Sequence, residues 1–540
     1  MKADAGASGA GRGNAGRAGL AVLSGLLVSL AFPNWISPAF RPWTGWVAWF
    51  GLVPLLVAME GLPPRRAALF GWLAGFASFM STLYWILNIE PVHPWNLPGL
   101  ALVALVLGGY WGLWAAMSAR AGKAGVTDAL SARADPRAIS LVAPAAWAGL
   151  ELLRGRFFTG FPWAVLGTSQ WDLPPVFLSA RFVGAAGVSM VVVGLNVALW
   201  ALLRRRREAM VPLIVAAVLA GSAAVLSSVA GRQADADIAA ARGSVKVVLL
   251  QGAFTEEEKM VLPPDVMVRR YEQMAREAAR GGKLALMVWP ETATATDLVS
   301  DAGITDRLVA LARGTRAVHL VGALWHDPQL HIYNGAFIVT GDGQVGAYYK
   351  SHLVPFGEYI PGWFRAAVPF AQKVTAGVVD FTPGPGPVPV VLPPGLLAGS
   401  IKVGVAVCYE AIFPEHARAL ALSGAEVFVN ITNDAWYGRS AASYQHALGP
   451  LARAVENGRF LARCANTGVS FVADPKGRPG EVLGLFEMGT LHGTMAPIAT
   501  RTFYAAHGDM VVIAVLLAAL GFVAVLGGGK AGAGGPRRDA

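Results

Sequence analysis

The chain has 540 residues, enough for more than one domain, and it is 54% hydrophobic but only 14% charged, against roughly 45–50% and about 25% in soluble domains. That balance excludes an ordinary soluble enzyme. The net charge of +10 does not point to nucleic acid, because much of the arginine excess sits in short clusters between apolar runs, at 65–66 and 204–207, where it reads as membrane-topology signal.

The first apolar run, 19–32, follows a basic, glycine-rich leader with Lys2, Arg12 and Arg17. Pro33-Asn34-Trp35 follows it instead of a small-x-small cleavage site, so it is expected to remain as a first span. Further runs lie at 46–59, 67–87, 97–117, 139–153, 182–203 and 211–230, and a last one at 510–526. A span needs roughly 20 mostly apolar residues, which gives about eight spans, with 46–59 and 139–153 short. With that count the leader, Arg65-Arg66, the loop 120–137, the 204–207 cluster and the basic tail share one side, expected to be the cytoplasm. Arg154 and Arg156 fall on the other side, where they either snorkel at the interface or bind lipid headgroups.

After residue 230 the charges become interspersed. Strand-length runs at 245–250, 284–289, 317–323, 336–340, 345–349, 402–407, 426–431, 468–473 and 490–496 alternate with helical stretches at 266–280, 305–314, 414–423 and 445–457. That alternation predicts a layered α/β domain. The expected organisation is a transmembrane helical domain over 1–230 with about seven spans, an external domain over 231–508, and a last helix with a basic cytoplasmic tail over 509–540. The glycines of Gly341-Asp342-Gly343-Gln344-Val345-Gly346 lie between two strands, so they predict a hairpin turn and no dinucleotide site. The nine His and two Cys contain no H-E-x-x-H and no C-x-x-C, and no metal or cofactor is expected. Two cysteines make no disulfide framework.

Three reactive groups stand at strand ends, where α/β sheets gather their chemistry. Glu291 follows 284–290, Lys350 follows 345–349, and Cys408 follows 403–407. A thiol is mostly protonated at neutral pH, so a nearby ammonium and the helix start at Pro414 are expected to favour its thiolate. Glu291 can carry the thiol proton, Lys350 can donate to a tetrahedral oxyanion, and Glu358 can hold either in place. The bland alternative for Cys408 is a small buried hydrophobe. The aromatic segments 360–364 and 435–437, with Trp363, Phe364, Trp436 and Tyr437, serve either as core packing or as an interfacial lid that admits acyl chains.

Val288-Trp289-Pro290-Glu291-Thr292, the segment 349–359, Val407-Cys408-Tyr409-Glu410, Asn433-Asp434-Ala435-Trp436-Tyr437-Gly438, and Arg154 with 158–163 closely resemble the apolipoprotein N-acyltransferase family, a membrane-embedded branch of the nitrilase superfamily. The resemblance spans nearly the whole chain. It implies a nitrilase-like α-β-β-α sandwich inserted before the last helix of a polytopic transmembrane domain. It also implies a catalytic triad of Glu291, Lys350 and Cys408, supported by Glu358, Tyr409, Glu410 and Trp436. Arg154, Trp363, Phe364 and Tyr437 are candidate lipid contacts. The implied reaction has two steps, in which Cys408 takes an acyl chain from a membrane phospholipid as a thioester. It then passes the chain to the amino group of a diacylglyceryl-cysteine at an apolipoprotein N-terminus. The implied setting is the bacterial inner membrane, with a periplasmic catalytic domain, both termini cytoplasmic, a monomer, and no nucleic-acid partner. Met260 stands where the family often carries Trp after Lys259, which puts one substrate contact in question. The rival reading is a membrane-tethered amidase or nitrilase acting on a small C–N substrate.

Overall fold

The computed structural model describes residues 5–40, 44–89, 95–124, 135–204, 207–280, 286–294, 296–367, 380–397 and 399–528. It divides into two compact units. One comprises Met1–Leu87, Pro94–Val229 and His507–Ala540, the other Asn88–His93 and Ala230–Ala506.

In the first unit the apolar runs are helices. Among the described residues, four stretches are long and apolar enough to cross a membrane: Gly13–Leu30, Asn96–Gly122, Ala180–Leu203 and Met210–Ala239. Helices Pro64–Thr82 and Pro136–Arg154 have 19 residues each, about 28 Å of rise, but arginines and Glu151 dilute their apolar character. The run at 46–59 is broken into a 3-10 turn, Thr44–Val47, and helices Ala48–Gly51 and Val53–Met59. Pro54 enters at the start of the last of these, where its missing N–H costs nothing. Helix Met210–Ala239 runs past the predicted end at 230, since the residues that follow are mostly alanine and other helix-compatible types. Gly243, at φ 123, lies beyond its end. Helices Pro64–Thr82 and Asn96–Ala124 meet through glycines. A Cβ at Gly75 would stand 2.8 Å from the Gly108 Cα, so only small residues allow this approach.

The second unit contains two six-stranded sheets. The first has the order β12-β1-β2-β3-β4-β5, with β1 Val245–Gln251, β2 Leu286–Val288, β3 Val318–His326, β4 Ile332–Thr340, β5 Gly343–Tyr349 and β12 Gly489–Met495. The second has the order β11-β10-β9-β8-β7-β6, with β6 Val390–Leu397, β7 Gly399–Val407, β8 Val427–Thr432, β9 Leu461–Ala465, β10 Ser470–Ala473 and β11 Pro479–Leu483. Strands β1, β2 and β3 are parallel, as are β7, β8 and β9. β4 and β5 join through the predicted hairpin, with Thr340 paired to Gly343.

The two sheets bury one face each against the other. Val247, Leu249, Val288, Leu320 and Ile338 from the first meet Val403, Val405, Val407, Val429 and Ile431 from the second. The outer face of the first sheet packs on helices Pro264–Ala279 and Ala302–Thr315 through Met267, Tyr271, Ile304 and Leu308. Helices Pro414–Leu422 and Ala442–Asn457 lie against the second sheet. The result is an α-β-β-α sandwich. Strands covered on both faces carry continuous apolar runs, which is why β1, β2, β7 and β8 were predictable. β6, β9 and β11 were not. β6 and β11 are edge strands containing prolines, which edges tolerate, and β9 carries a fully buried Arg463.

Candidate active site

Parallel packing brings the ends of β2, β7 and β8 to one edge of the sandwich. β5 joins them because two antiparallel steps separate it from β3. Glu291 follows β2 in a Trp-Pro-Glu turn that lies directly on β3. A Cβ at Gly322 would stand 2.1 Å from the Pro290 carbonyl oxygen, so glycine is required there.

The Glu291 carboxylate is buried and fully engaged. Its Oε1 accepts from Asn334 Nδ2 at 2.7 Å and Lys350 Nζ at 3.4 Å, and its Oε2 accepts from the Asn433 backbone N–H at 2.8 Å. Lys350, with only 1% of its side chain exposed, donates to Glu358 Oε1 at 2.7 Å. Glu358 Oε2 accepts from the Val354 N–H at 2.7 Å. Burial alone would depress the Lys350 ammonium, but the carboxylates of Glu358 and Glu291 outweigh it and raise its pKa. Burial raises the Glu358 carboxyl, against the pull of Lys350.

Cys408 is the residue after β7 and has φ 52, a left-handed conformation unusual for a non-glycine residue. Burial pushes the pKa of its thiol up, Glu291 adds to that, and Lys350 only partly offsets both. Burial and the Glu291 charge thus favour the thiol over a preformed thiolate. A carboxylate in this position can take a thiol proton, and a fixed cation can stabilise negative charge.

Glu410 organises this edge. It is fully buried, and its Oε1 accepts from Tyr348 Oη at 2.8 Å, the Ser351 N–H at 2.7 Å and the His352 N–H at 3.0 Å. Its Oε2 accepts from the Val407 N–H at 2.8 Å. One carboxylate thus ties the chain after Lys350 to the turn that carries Cys408.

The second cysteine, Cys464 on β9, is sealed between the sheets, where its thiol donates to the carbonyls of Val288 at 3.2 Å and Leu250 at 3.4 Å. Burial raises its pKa too.

Residues 24–198 match the family model for the apolipoprotein N-acyltransferase N-terminal domain, and residues 262–502 match that for carbon-nitrogen hydrolases. The apolipoprotein N-acyltransferase of Geobacter metallireducens is 34% identical over 522 residues, which cover 93% of this chain and 95% of that one. The same-named protein of Methylococcus capsulatus is 31% identical over 93% of this chain and 94% of its own. Among solved structures, a carbon-nitrogen hydrolase from Helicobacter pylori G27 aligns with 47% of this chain and 89% of its own, at 18% identity and TM-score 0.36. The chain belongs to the apolipoprotein N-acyltransferase family. It is an acyltransferase with a nitrilase-like sandwich and an apolar helical unit.

The remaining predicted residues are distributed as follows. Tyr409 is buried, its ring 5.0 Å from Phe413 and 5.9 Å from His352. Trp436 is 44% exposed on the turn Asp434–Tyr437, and Tyr437 beside it is half-buried. Phe364 packs edge-on against Phe356 at 5.0 Å. The side chain of Trp363 lies outside the described residues. In the helical unit Arg154 is buried, donates to the Trp163 carbonyl at 2.7 Å and lies over the Phe79 ring. Arg156 pairs with Asp509.

Sequence reasoning missed Asn334 and the backbone of Asn433, which orient Glu291, because single asparagines carry no periodic signal. It also missed the contact of Lys259 Nζ with Thr292 Oγ1 at 2.7 Å. Met260 next to it is 76% exposed.

Proposed function

We propose that this acyltransferase N-acylates the N-terminal diacylglyceryl-cysteine of apolipoproteins, with a membrane phospholipid as donor and a Cys408 thioester as intermediate. In the first step Glu291 takes the thiol proton as Sγ attacks the ester carbonyl. Lys350 stabilises the oxyanion, and collapse breaks the ester C–O bond. The departing lysophospholipid oxygen recovers the proton from Glu291. In the second step the acceptor α-amine attacks the thioester, gives a proton to Glu291, and expels the Cys408 sulfur, which is reprotonated. Glu358 keeps Lys350 in place throughout.

The observation that carries this reading is the hydrogen-bonded Glu291–Lys350–Glu358 cluster acting on the thiol at the end of β7. The relatives over nearly the whole chain supply the acceptor class. The exposed ring of Trp436 and the Phe356–Phe364 pair suit contact with acyl chains. The arginine asymmetry of the loops supports a periplasmic sandwich over 231–508, between a helical domain at 1–230 and a last span at 509–540, with both termini cytoplasmic in the inner membrane. All the side chains invoked come from one chain, so a monomer suffices. Intact-protein mass spectrometry after incubation with phospholipid vesicles tests the reading. One acyl mass on Cys408, discharged by a diacylglyceryl-cysteinyl peptide, is expected. Hydrolysis of small amides without any acyl adduct would favour the tethered amidase instead.

A further inference from the structure

A buried polar network lies behind Cys408, on the side away from Lys350 in sequence and unused by the chemistry above. His446, on helix Ala442–Asn457, is fully buried. Its Nε2 is 3.1 Å from the carbonyl oxygen of Cys408. A carbonyl only accepts, so Nε2 carries the hydrogen and donates. Its Nδ1 is 2.9 Å from Asp434 Oδ1. Asp434 is itself pinned. Thr432 Oγ1 donates to Oδ1 at 2.8 Å, and Arg463 Nη2 donates to Oδ2 at 2.7 Å. Burial would raise the Asp434 carboxyl, but Arg463 and His446 outweigh it and lower its pKa to about 2. Arg463 Nη2 is also 3.3 Å from His446 Nδ1, and the Tyr437 ring meets the imidazole edge-on at 6.2 Å. The Cys408 Sγ, a His446 nitrogen and an Asp434 oxygen lie within 4.8 Å of one another. The Arg463 guanidinium already occupies one Asp434 oxygen, which argues for a structural clamp rather than a cation site.

The clamp acts on a strained residue. Cys408 holds φ 52, a conformation that persists in a non-glycine residue only when its surroundings over-determine it. Glu410 fixes the residue before it through the Val407 N–H, and His446 fixes its own carbonyl. We propose that the Asp434–His446 pair is the positioning device of the nucleophile: by donating to the Cys408 carbonyl, His446 holds the left-handed turn that presents Sγ to Glu291 and Lys350. This inference rests on the reading of Cys408 as the nucleophile and adds a residue pair to it.

The test uses the full chain in the Cys464→Ala background, so that one thiol remains. Acyl-adduct formation from phosphatidylethanolamine–phosphatidylglycerol vesicles is followed by intact mass in the otherwise unaltered chain, His446→Ala and His446→Gln, with thermal melting as the fold control. A displaced nucleophile costs about 10²-fold, so His446→Ala is expected to slow acylation by about that factor through kcat, with KM for the lipid unchanged. Glutamine places an amide N–H near the Nε2 position and is expected to restore the rate to within about tenfold. The inference is overturned if folded His446→Ala acylates within about threefold of the reference, or if folded His446→Gln is as slow as the alanine variant. Should the alanine variant not fold, the glutamine variant decides: a rate within about tenfold of the reference is expected, and a loss of about 10²-fold in the folded variant overturns the inference. Absence of an adduct in the reference chain sinks the nucleophile reading itself. An adduct in the reference matched by His446→Ala sinks only the positioning role.

Discussion

Cys464 and Cys408 both belong to the apolar cluster between the two sheets, and burial raises both thiols. Their surroundings differ in every other respect. Cys464 sits within β9 in an extended strand, and its thiol is spent on two backbone carbonyls of the facing sheet. Cys408 sits one residue past the end of β7 in a left-handed turn, with a carboxylate and an ammonium acting on its sulfur and a histidine on its carbonyl. The sheet interior therefore spends a thiol on backbone carbonyls, and the strand-end edge surrounds one with ionisable groups. What separates the two positions is the termination of the ladder, which frees the backbone to turn and lets side chains from neighbouring strand ends converge.

Exchanging the roles of the two cysteines is the harshest test of this comparison. Cys408→Ala is expected to abolish acyl transfer, a loss of several orders of magnitude, since little residual rate survives removal of a nucleophile. Cys464→Ala is expected to retain activity and to lose only stability, roughly 0.5–3 kcal/mol, as a small core truncation does. Steady-state transfer assays and melting curves check both. The opposite pattern would place the chemistry in the core.

A smaller effect is expected from Lys350→Met. Loss of one oxyanion donor slows a reaction by about 10²–10³-fold, and that reduction is expected in acyl-adduct formation measured by intact mass. The variant also leaves Glu291 and Glu358 buried without their shared cation, which costs about 3–5 kcal/mol of stability by the usual penalty for breaking a buried pair. A lowered melting temperature is therefore part of the prediction. Near-native adduct formation in a folded variant would remove Lys350 from the first step.

The sequence made the edge legible wherever a reactive residue ended a continuous apolar run, as Glu291, Lys350 and Cys408 do. The runs before Glu291 and Cys408 mark strands buried on both faces, whereas Lys350 ends the partly exposed edge strand β5. It could not show β6, β9 and β11, since Pro393-Pro394, Arg463 and Pro479 interrupt the patterns on which strand recognition depends. Nor could it show His446 or Asp434 acting beneath Cys408, because a polar residue facing inward from a helix or a turn is brought to its partner only by the fold. The resemblance to a known family placed Glu410 in the active-site region. The five hydrogen bonds of its two oxygens give that placement a physical meaning, which is to fasten the Lys350 segment to the Cys408 turn. The cation expected to favour the thiolate is present as Lys350, but burial and the Glu291 charge, which sequence position does not reveal, oppose it.

That last point yields the smallest and most discriminating prediction. The Cys408 thiol is raised above the ordinary thiol range by burial first and by Glu291 second, with Lys350 opposing. In the Cys464→Ala background, iodoacetamide alkylation should therefore be slow at neutral pH and keep rising through pH values where an exposed thiol has levelled off. Replacing Glu291 by Gln removes a negative charge that disfavours the thiolate, so the alkylation profile should move to lower pH, on the order of one unit. At a fixed neutral pH the rate then rises by about tenfold, since one unit is a tenfold change in thiolate fraction. The same variant loses the base that accepts the thiol proton, so acyl-adduct formation should fall while alkylation speeds up. Opposite movements in the two assays separate a proton acceptor from a group that merely holds the site together, because structural damage would alter both without imposing that sign. If Glu291→Gln leaves the alkylation profile in place, or shifts it upward, Glu291 does not act on the Cys408 sulfur in the resting enzyme.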